Sequence, residues 1–259
     1  MSKISDAFRN GKAFIGFVTG GDPTLDLTVE LVVGMAEAGA DIVEIGIPFS
    51  DPIAEGEVIQ RANARALNAG ASVRGIFGAV RKVRERTDVP IVFLTYLNPV
   101  FRYGYDEFFA ECRDAGVDGV IIPDAPFEEQ GEFKPSARKH GVDVISLVSP
   151  TSEDRIAKIA ADADGYLYVV SSMGVTGVRG SISTDISGIV ASIRRASDAP
   201  AAVGFGISTP EQACELSKAA DGVIVGSAIV RIVEEYGKDS VERVKDYVRR
   251  MKAAISERP

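Results

Sequence analysis

The chain is poor in the residues that most site chemistries require. One histidine, His140, and two cysteines, Cys112 and Cys214, are its whole supply of imidazole and thiol ligands. Neither cysteine has metal-ligand spacing around it, so no metal is expected, and the thiols read as reduced, buried or half-buried side chains. His140 stands at a helix end before Gly141 and reads as its cap. No apolar run approaches the ~20 residues that cross a bilayer. Met1-Ser-Lys-Ile-Ser-Asp6 lacks a secretory apolar region, so a cytoplasmic location without a membrane partner is expected. Basic excess is missing too: the net charge of −8 speaks against nucleic acid as a partner, which needs a concentrated basic surface. No glycine-rich dinucleotide fingerprint follows the first strand, and no lysine at a strand end suggests a Schiff base, so no cofactor is expected. Carboxylates remain as the agents of any chemistry.

What is present is a repeated unit. Ala38-Gly-Ala-Asp41, Ala115-Gly-Val-Asp118 and His140-Gly-Val-Asp143 each precede an apolar run, as do Asp162-Ala-Asp164 and Ala219-Ala-Asp221. Each reads as a helix end relieved by glycine and a short turn into a buried strand. The spacing predicts eight strands: Phe14–Thr19, Asp41–Gly46, Pro90–Tyr96, Gly119–Pro123, Asp143–Val148, Gly165–Val170, Ala201–Gly204 and Gly222–Val225. These are continuous apolar runs, as in a parallel sheet covered on both faces. Helical periodicity fills the intervals at Leu25–Ala38, Val73–Arg86, Asp106–Ala115, Glu153–Ala161, Asp185–Ala196, Pro210–Ala219 and Ala228–Glu235, with an outer amphipathic helix at Ser240–Ile255. Such alternation suits an eight-stranded barrel or a doubly wound open sheet. Eight units, 46% hydrophobic residues and no linker or composition break favour a single-domain (β/α)8 TIM barrel over residues 1–259.

The stretch Glu44–Gln60 departs from that pattern. Glu44 interrupts an apolar run, and the Pro/Asp-rich loop after it adds Asp51 and Glu55. A buried carboxyl shifts its pKa unless it is paired, which suits proton transfer at a strand end. A structural carboxylate pinned by a neighbouring turn fits Glu44 equally well, and a solvated loop acid fits Glu55. Asp51, before Pro52, reads as a turn or interface residue.

Two further loops point to phosphate. Gly204-Phe-Gly-Ile-Ser208 follows the seventh strand, and Gly226-Ser227 follows the eighth and opens a short helix. Barrel enzymes frequently bind phosphate with these loops and that helix's first N–H groups, whatever the overall charge. Gly206, Ile207, Gly226 and Ser227 are the candidates, and Phe205 lies among them. After the sixth strand, Gly174-Val-Thr-Gly177 opens a Gly/Ser-rich stretch to about Thr184, long enough for a lid. Phe17, Leu94 and Ile121 stand on strands where they could line an apolar pocket or fill a core, and Tyr168 shares that ambiguity.

Together with Phe17-Val-Thr-Gly-Gly-Asp-Pro23, Tyr96-Leu-Asn-Pro99 and Pro123-Asp-Ala-Pro126, these motifs resemble, in order and over essentially the whole chain, those of tryptophan synthase alpha subunits. The resemblance implies retro-aldol cleavage of indole-3-glycerol phosphate, with Glu44 as the acid/base group. Tyr168 would pack beside the substrate, and Phe17, Leu94, Ile121 and Phe205 would line the indole pocket. Gly177 would join the phosphate site, while Gly174 and Thr176 would belong to the lid. The family pattern has Asp within Ala-Asp-Gly where this chain has Ala54-Glu55-Gly56, so a longer side chain must present the second carboxylate. The partner implied is a pyridoxal-phosphate beta subunit in an alpha/beta heterotetramer. The Pro-rich turns Pro48–Pro52 and Asn98-Pro-Val-Phe101 are candidate docking surfaces on one barrel face. A stand-alone lyase, a weakly catalytic activator of the beta subunit and another phosphate-binding barrel enzyme are the rival readings.

Overall fold

The computed structural model describes residues 2–170, 186–204 and 206–256. Its strands are β1 (Ala13–Thr19), β2 (Ile42–Gly46), β3 (Ile91–Leu94), β4 (Gly119–Ile121), β5 (Asp143–Val144), β6 (Ser146–Val148), β7 (Leu167–Val170), β8 (Ala201–Gly204) and β9 (Gly222–Val225). They form one parallel sheet in the order β5-β4-β3-β2-β1-β9-β8-β7-β6. The two ends of that order are halves of the fifth expected strand, interrupted at Ile145. β5 pairs with β4 and β6 with β7, so this one run closes the sheet into a barrel. Ile145 N–H still donates to Val120 O at 2.9 Å, which carries the ladder across the break. A strand in a closed barrel meets its two neighbours at staggered heights, and the split marks where pairing passes from one to the other.

The apolar runs alternate after all, but between two apolar cores. Ile15, Ile42, Val92, Ile121, Ile145, Tyr166, Ala202 and Ile224 point into the barrel, with Ile4 beneath them. Ile4 comes from the short helix Lys3–Asp6, where Ser2 and Ser5 form a capping box. Glycine makes room for this plug: a Cβ on Gly119 would stand 2.7 Å from Ile4 Cδ1. The intervening residues, such as Phe14, Val18, Val43 and Phe93, face the surrounding helices.

The recurring aspartates do more than end turns. Asp41 Oδ2 accepts the N–H of Phe14 at 2.6 Å, Asp118 that of Ile91 at 2.8 Å and Asp221 that of Ala201 at 3.0 Å. Each ties the foot of one strand to the turn entering the next. Lys252, Arg84 and Arg194 neutralise them.

Two helices depart from expectation. The turn expected at Asn98–Phe101 lies inside a helix, Leu97–Tyr103, where Pro99 falls in the first turn and its missing N–H leaves no bond unmade. The segment Glu57–Asn68, not assigned from periodicity, is also helical. The first follows closely on the end of β3 and the second on the loop after β2, so both stand at the rim where the loops gather.

Candidate active site

Period two along β2 places Ile42, Glu44 and Gly46 on the barrel's inner face. In register, Glu44 lies between Phe17 of β1 and Val92 of β3. It is 1% exposed. Tyr166 Oη donates to Glu44 Oε1 at 2.6 Å. Burial pushes the carboxyl up to about 7, against the opposing pull of the Tyr166 hydrogen bond. The group is therefore held near the midpoint of its titration at neutral pH. Burial and the nearby Glu44 carboxylate push the Tyr166 phenol well up, so it stays a donor.

Tyr168 follows Tyr166 on the same inner face, one layer nearer the rim, and part of it remains exposed. Its ring leans over the neighbouring strand at Gly204, where a Cβ would stand 2.3 Å from Tyr168 Oη. Burial of the rest of the side chain and the Glu44 charge push its hydroxyl upward. Tyr168 alone was expected at the site; Tyr166 is the tyrosine that touches Glu44. The alternation Tyr166, Tyr168 could have identified it, since both must face inward if either does.

Glu55 sits on the loop that enters the helix Glu57–Asn68. Its Oε2 accepts a 2.6 Å hydrogen bond from Asn63 Nδ2. Burial raises its pKa, while hydrogen bonds from Asn63 and Tyr96 lower it. Tyr96 Oη in turn accepts the N–H of Ala54 at 3.2 Å, and Gln60 Nε2 donates to Glu55 O at 2.7 Å. Asp51 is exposed and accepts from Ser50 Oγ at 2.5 Å, as a turn residue would.

Between these carboxylates lies an apolar patch. Phe17 packs with Val58, Ala62 and Val230, and the partly buried Leu94 borders it. The Phe17 ring covers Gly46, where a Cβ would come within 2.7 Å of it. Ile121, in register with Leu94, is fully enclosed in the inner core beneath. A separate cavity of about 140 Å³ beside β6 shares Leu147 with that core but is lined by neither carboxylate.

On the side of the rim formed by β8 and β9, Gly206 is exposed at φ +71° and Ile207 is buried. Gly226 precedes Ser227, the first residue of the helix Ser227–Tyr236, whose start has no side-chain cap. Among the described residues no side chain caps its first N–H groups at the end of β9, and a Cβ on Gly226 would stand 3.4 Å from Phe17 Cδ1. Ser208 is engaged elsewhere, donating its hydroxyl and N–H to Gln212 Oε1 beside the capping box that Gln212 forms with Thr209. Phe205, Gly174, Thr176 and Gly177 lie outside the described residues.

An ion-pair chain that sequence reading missed joins the two sides. Arg65 grips Asp22 through two 2.8 Å bonds and reaches Glu234 at 2.7 Å. Arg61 also holds Glu234, at 2.8 and 2.9 Å. The loop after β1, the helix behind Glu55 and the helix at Ser227 are thereby fastened together. Among the described residues, no cluster of three or more His, Cys, Asp or Glu side chains could hold a metal ion.

Comparison with known proteins bears on this arrangement. Residues 4–256 match the family model described as tryptophan synthase alpha chain. The chain is 48% identical over 255 residues to the tryptophan synthase alpha chain of Lacticaseibacillus casei, covering 98% of this chain and 96% of that one. It is 48% identical to that of Lactiplantibacillus plantarum, covering 100% and 98%. Among solved structures, the alpha chain from Legionella pneumophila superposes with a TM-score of 0.87 at 37% identity, covering 98% and 97%. A chain of the tryptophan synthase α2β2 complex from Pyrococcus furiosus gives 0.87 at 36% identity, covering 94% and 99%.

Proposed function

We propose, since the chain belongs to the tryptophan synthase alpha chain family, that Glu44 and Glu55 divide the family's reaction between them. That reaction is a carbon–carbon lyase step of tryptophan biosynthesis, the reversible cleavage of indole-3-glycerol phosphate to indole and glyceraldehyde 3-phosphate. This chain performs it as the alpha subunit and hands indole to a beta subunit. We read residues 1–259 as one barrel domain working in the cytoplasm; no described helix is long and apolar enough to cross a membrane.

The chemical obstacle is that an aromatic carbon leaves poorly. Protonation at indole C3 gives an indolenine, whose ring nitrogen can accept the electron pair of the breaking C–C bond. Glu44 gives that proton, then as carboxylate takes the proton of the glycerol hydroxyl beside the scissile bond. One group can serve in both directions only if its pKa lies near the working pH, and burial brings Glu44 there, to about 7. The enclosure of Glu44 on the barrel's inner face, with the Tyr166 hydroxyl donating to it at 2.6 Å, is the observation that carries the reading. Glu55 accepts the ring N–H and stabilises the positive charge that develops on it. Phe17, Leu94 and Tyr168 flank the indole, with Ile121 as the floor and Phe205 as a further wall. The backbone N–H groups of Gly206, Ile207, Gly226 and Ser227, with Gly177, hold the phosphate and orient the substrate from a distance.

Docking of the beta subunit on this rim is supported by two exposed apolar side chains, Ile53 at 77% and Phe101 at 65%. The test is indole release from indole-3-glycerol phosphate by the purified chain, alone and with a beta subunit. Slow turnover alone, a large rise on addition and loss of both in Glu44→Gln are expected. Substantial turnover by Glu44→Gln would overturn the assignment of Glu44, and full turnover without a partner would make the chain an independent lyase.

A further inference from the structure

Glu55 hangs from a loop whose neighbours Asp51, Ile53 and Ala54 are all exposed. A free glutamate there would sample many rotamers, and fixing one during the reaction would cost entropy each time. The structure supplies the constraint in advance. Asn63, 3% exposed, points from the second turn of the helix Glu57–Asn68 back to Glu55 Oε2, 2.6 Å away. A side-chain amide nitrogen only donates, so this contact suits an ionised acceptor. Tyr96, 1% exposed and packed against Phe49 at a centroid distance of 5.2 Å, brings its hydroxyl to the same carboxyl group. Its oxygen accepts the N–H of Ala54, the residue before Glu55. The Glu55 side chain is thus held from the helix Glu57–Asn68 and from Tyr96 at the start of the helix Leu97–Tyr103, which also holds the backbone of the preceding residue.

We propose that Asn63 and Tyr96 are positioning residues that hold Glu55 as an ionised acceptor, with its remaining lone pairs turned to the substrate's ring N–H. The inference rests on the role given to Glu55 above and says how a flexible glutamate fulfils it. A carboxylate accepts about four hydrogen bonds, so two donors leave room for a third. Preorganised acceptors act on the charge that develops in the transition state, so the clamp bears on kcat more than on substrate binding.

The experiment uses the chain with its beta subunit and indole-3-glycerol phosphate. Asn63→Leu, which keeps bulk and removes the donor, should lower kcat about ten- to a hundredfold with KM changed by about twofold or less. Tyr96→Phe, which keeps the ring, should show the same signature and guards against Asn63→Leu failing to fold. Asn63→Asp should move the acid limb of the kcat profile to higher pH, because two carboxylates then compete for one proton. In a Glu55→Gln background, Asn63→Leu should have no further effect on kcat. Equal losses in both backgrounds would make Asn63 merely structural and overturn the proposal. If Glu55→Gln lowers kcat while Asn63→Leu and Tyr96→Phe do not, the clamp fails and the role of Glu55 stands. If Glu55→Gln leaves kcat intact, that role fails and the clamp with it.

Discussion

Tyr166 and Glu44 meet across the barrel interior through a 2.6 Å hydrogen bond, with both side chains closed off from solvent. The bond favours the carboxylate, and burial opposes it and prevails. Tyr166→Phe removes the favourable partner and leaves the desolvation untouched. Glu44 should then titrate higher, by about one unit for a hydrogen bond to a charged group. The basic limb of the kcat/KM profile, which reports the protonated donor, should move up by that amount. A limb that stays in place would show that Glu44 is not the group it reports.

The same carboxyl makes stability depend on pH. Its folded value of about 7 lies above the ordinary 4.5, so between those values the folded chain keeps a proton that the unfolded chain has lost. The contribution is fully present below about 4.5, declines as pH rises through the window and stays lost above about 7. Its size is on the order of 3 kcal/mol. Glu44→Gln cannot titrate, so its stability relative to the parent should improve from pH 5 to pH 8. Urea midpoints at the two pH values measure this, and a difference constant with pH would refute it.

Much of this was legible in the sequence, for reasons that can be named. Gly39, Gly116 and Gly141 end helices with positive φ, which only glycine adopts freely, so the strand entries stood out. Glu44 stood out because a carboxylate inside an apolar run conflicts with its surroundings. Asn63 gave no such signal, since asparagine in a polar helix is unremarkable until the fold brings it back on Glu55. The helix Leu97–Tyr103 hid behind Pro99, which reads as a turn unless one knows it sits in a first turn. The break at Ile145 depends on the stagger of a closed barrel, which no local pattern encodes.

Arg65 is the hub joining the two sides of the rim. Asp22 is 2% exposed, and its carboxylate depends on Arg65 for both of its 2.8 Å partners. Arg65→Ala leaves that charge buried and unpaired, at a cost on the order of 3 kcal/mol. It also frees the helix bearing Asn63 from the helix at Ser227, so KM for the phosphorylated substrate should rise as well. Thermal unfolding and steady-state kinetics check the two parts separately. A variant with unchanged melting would show that Asp22 finds another partner.

Gly204 determines where Tyr168 can lie. A Cβ there would stand 2.3 Å from Tyr168 Oη and 2.6 Å from two ring carbons, all far below contact distance. The ring is rigid, so it cannot yield at one end as an aliphatic chain would; the whole side chain must rotate toward the rim, where it is already partly exposed. Gly204→Ala should therefore destabilise by about 1–3 kcal/mol, typical of overpacking, and raise KM as the displaced ring enters the substrate's space. Tyr168→Phe should not relieve the strain, because the ring carbons clash as well as the hydroxyl. In a Tyr168→Ala background the penalty of Gly204→Ala should vanish, since nothing then occupies the space its methyl needs. Denaturation of the four chains of that cycle decides the matter: an equal penalty with and without the Tyr168 ring would mean that some other neighbour of Gly204 resists the methyl group.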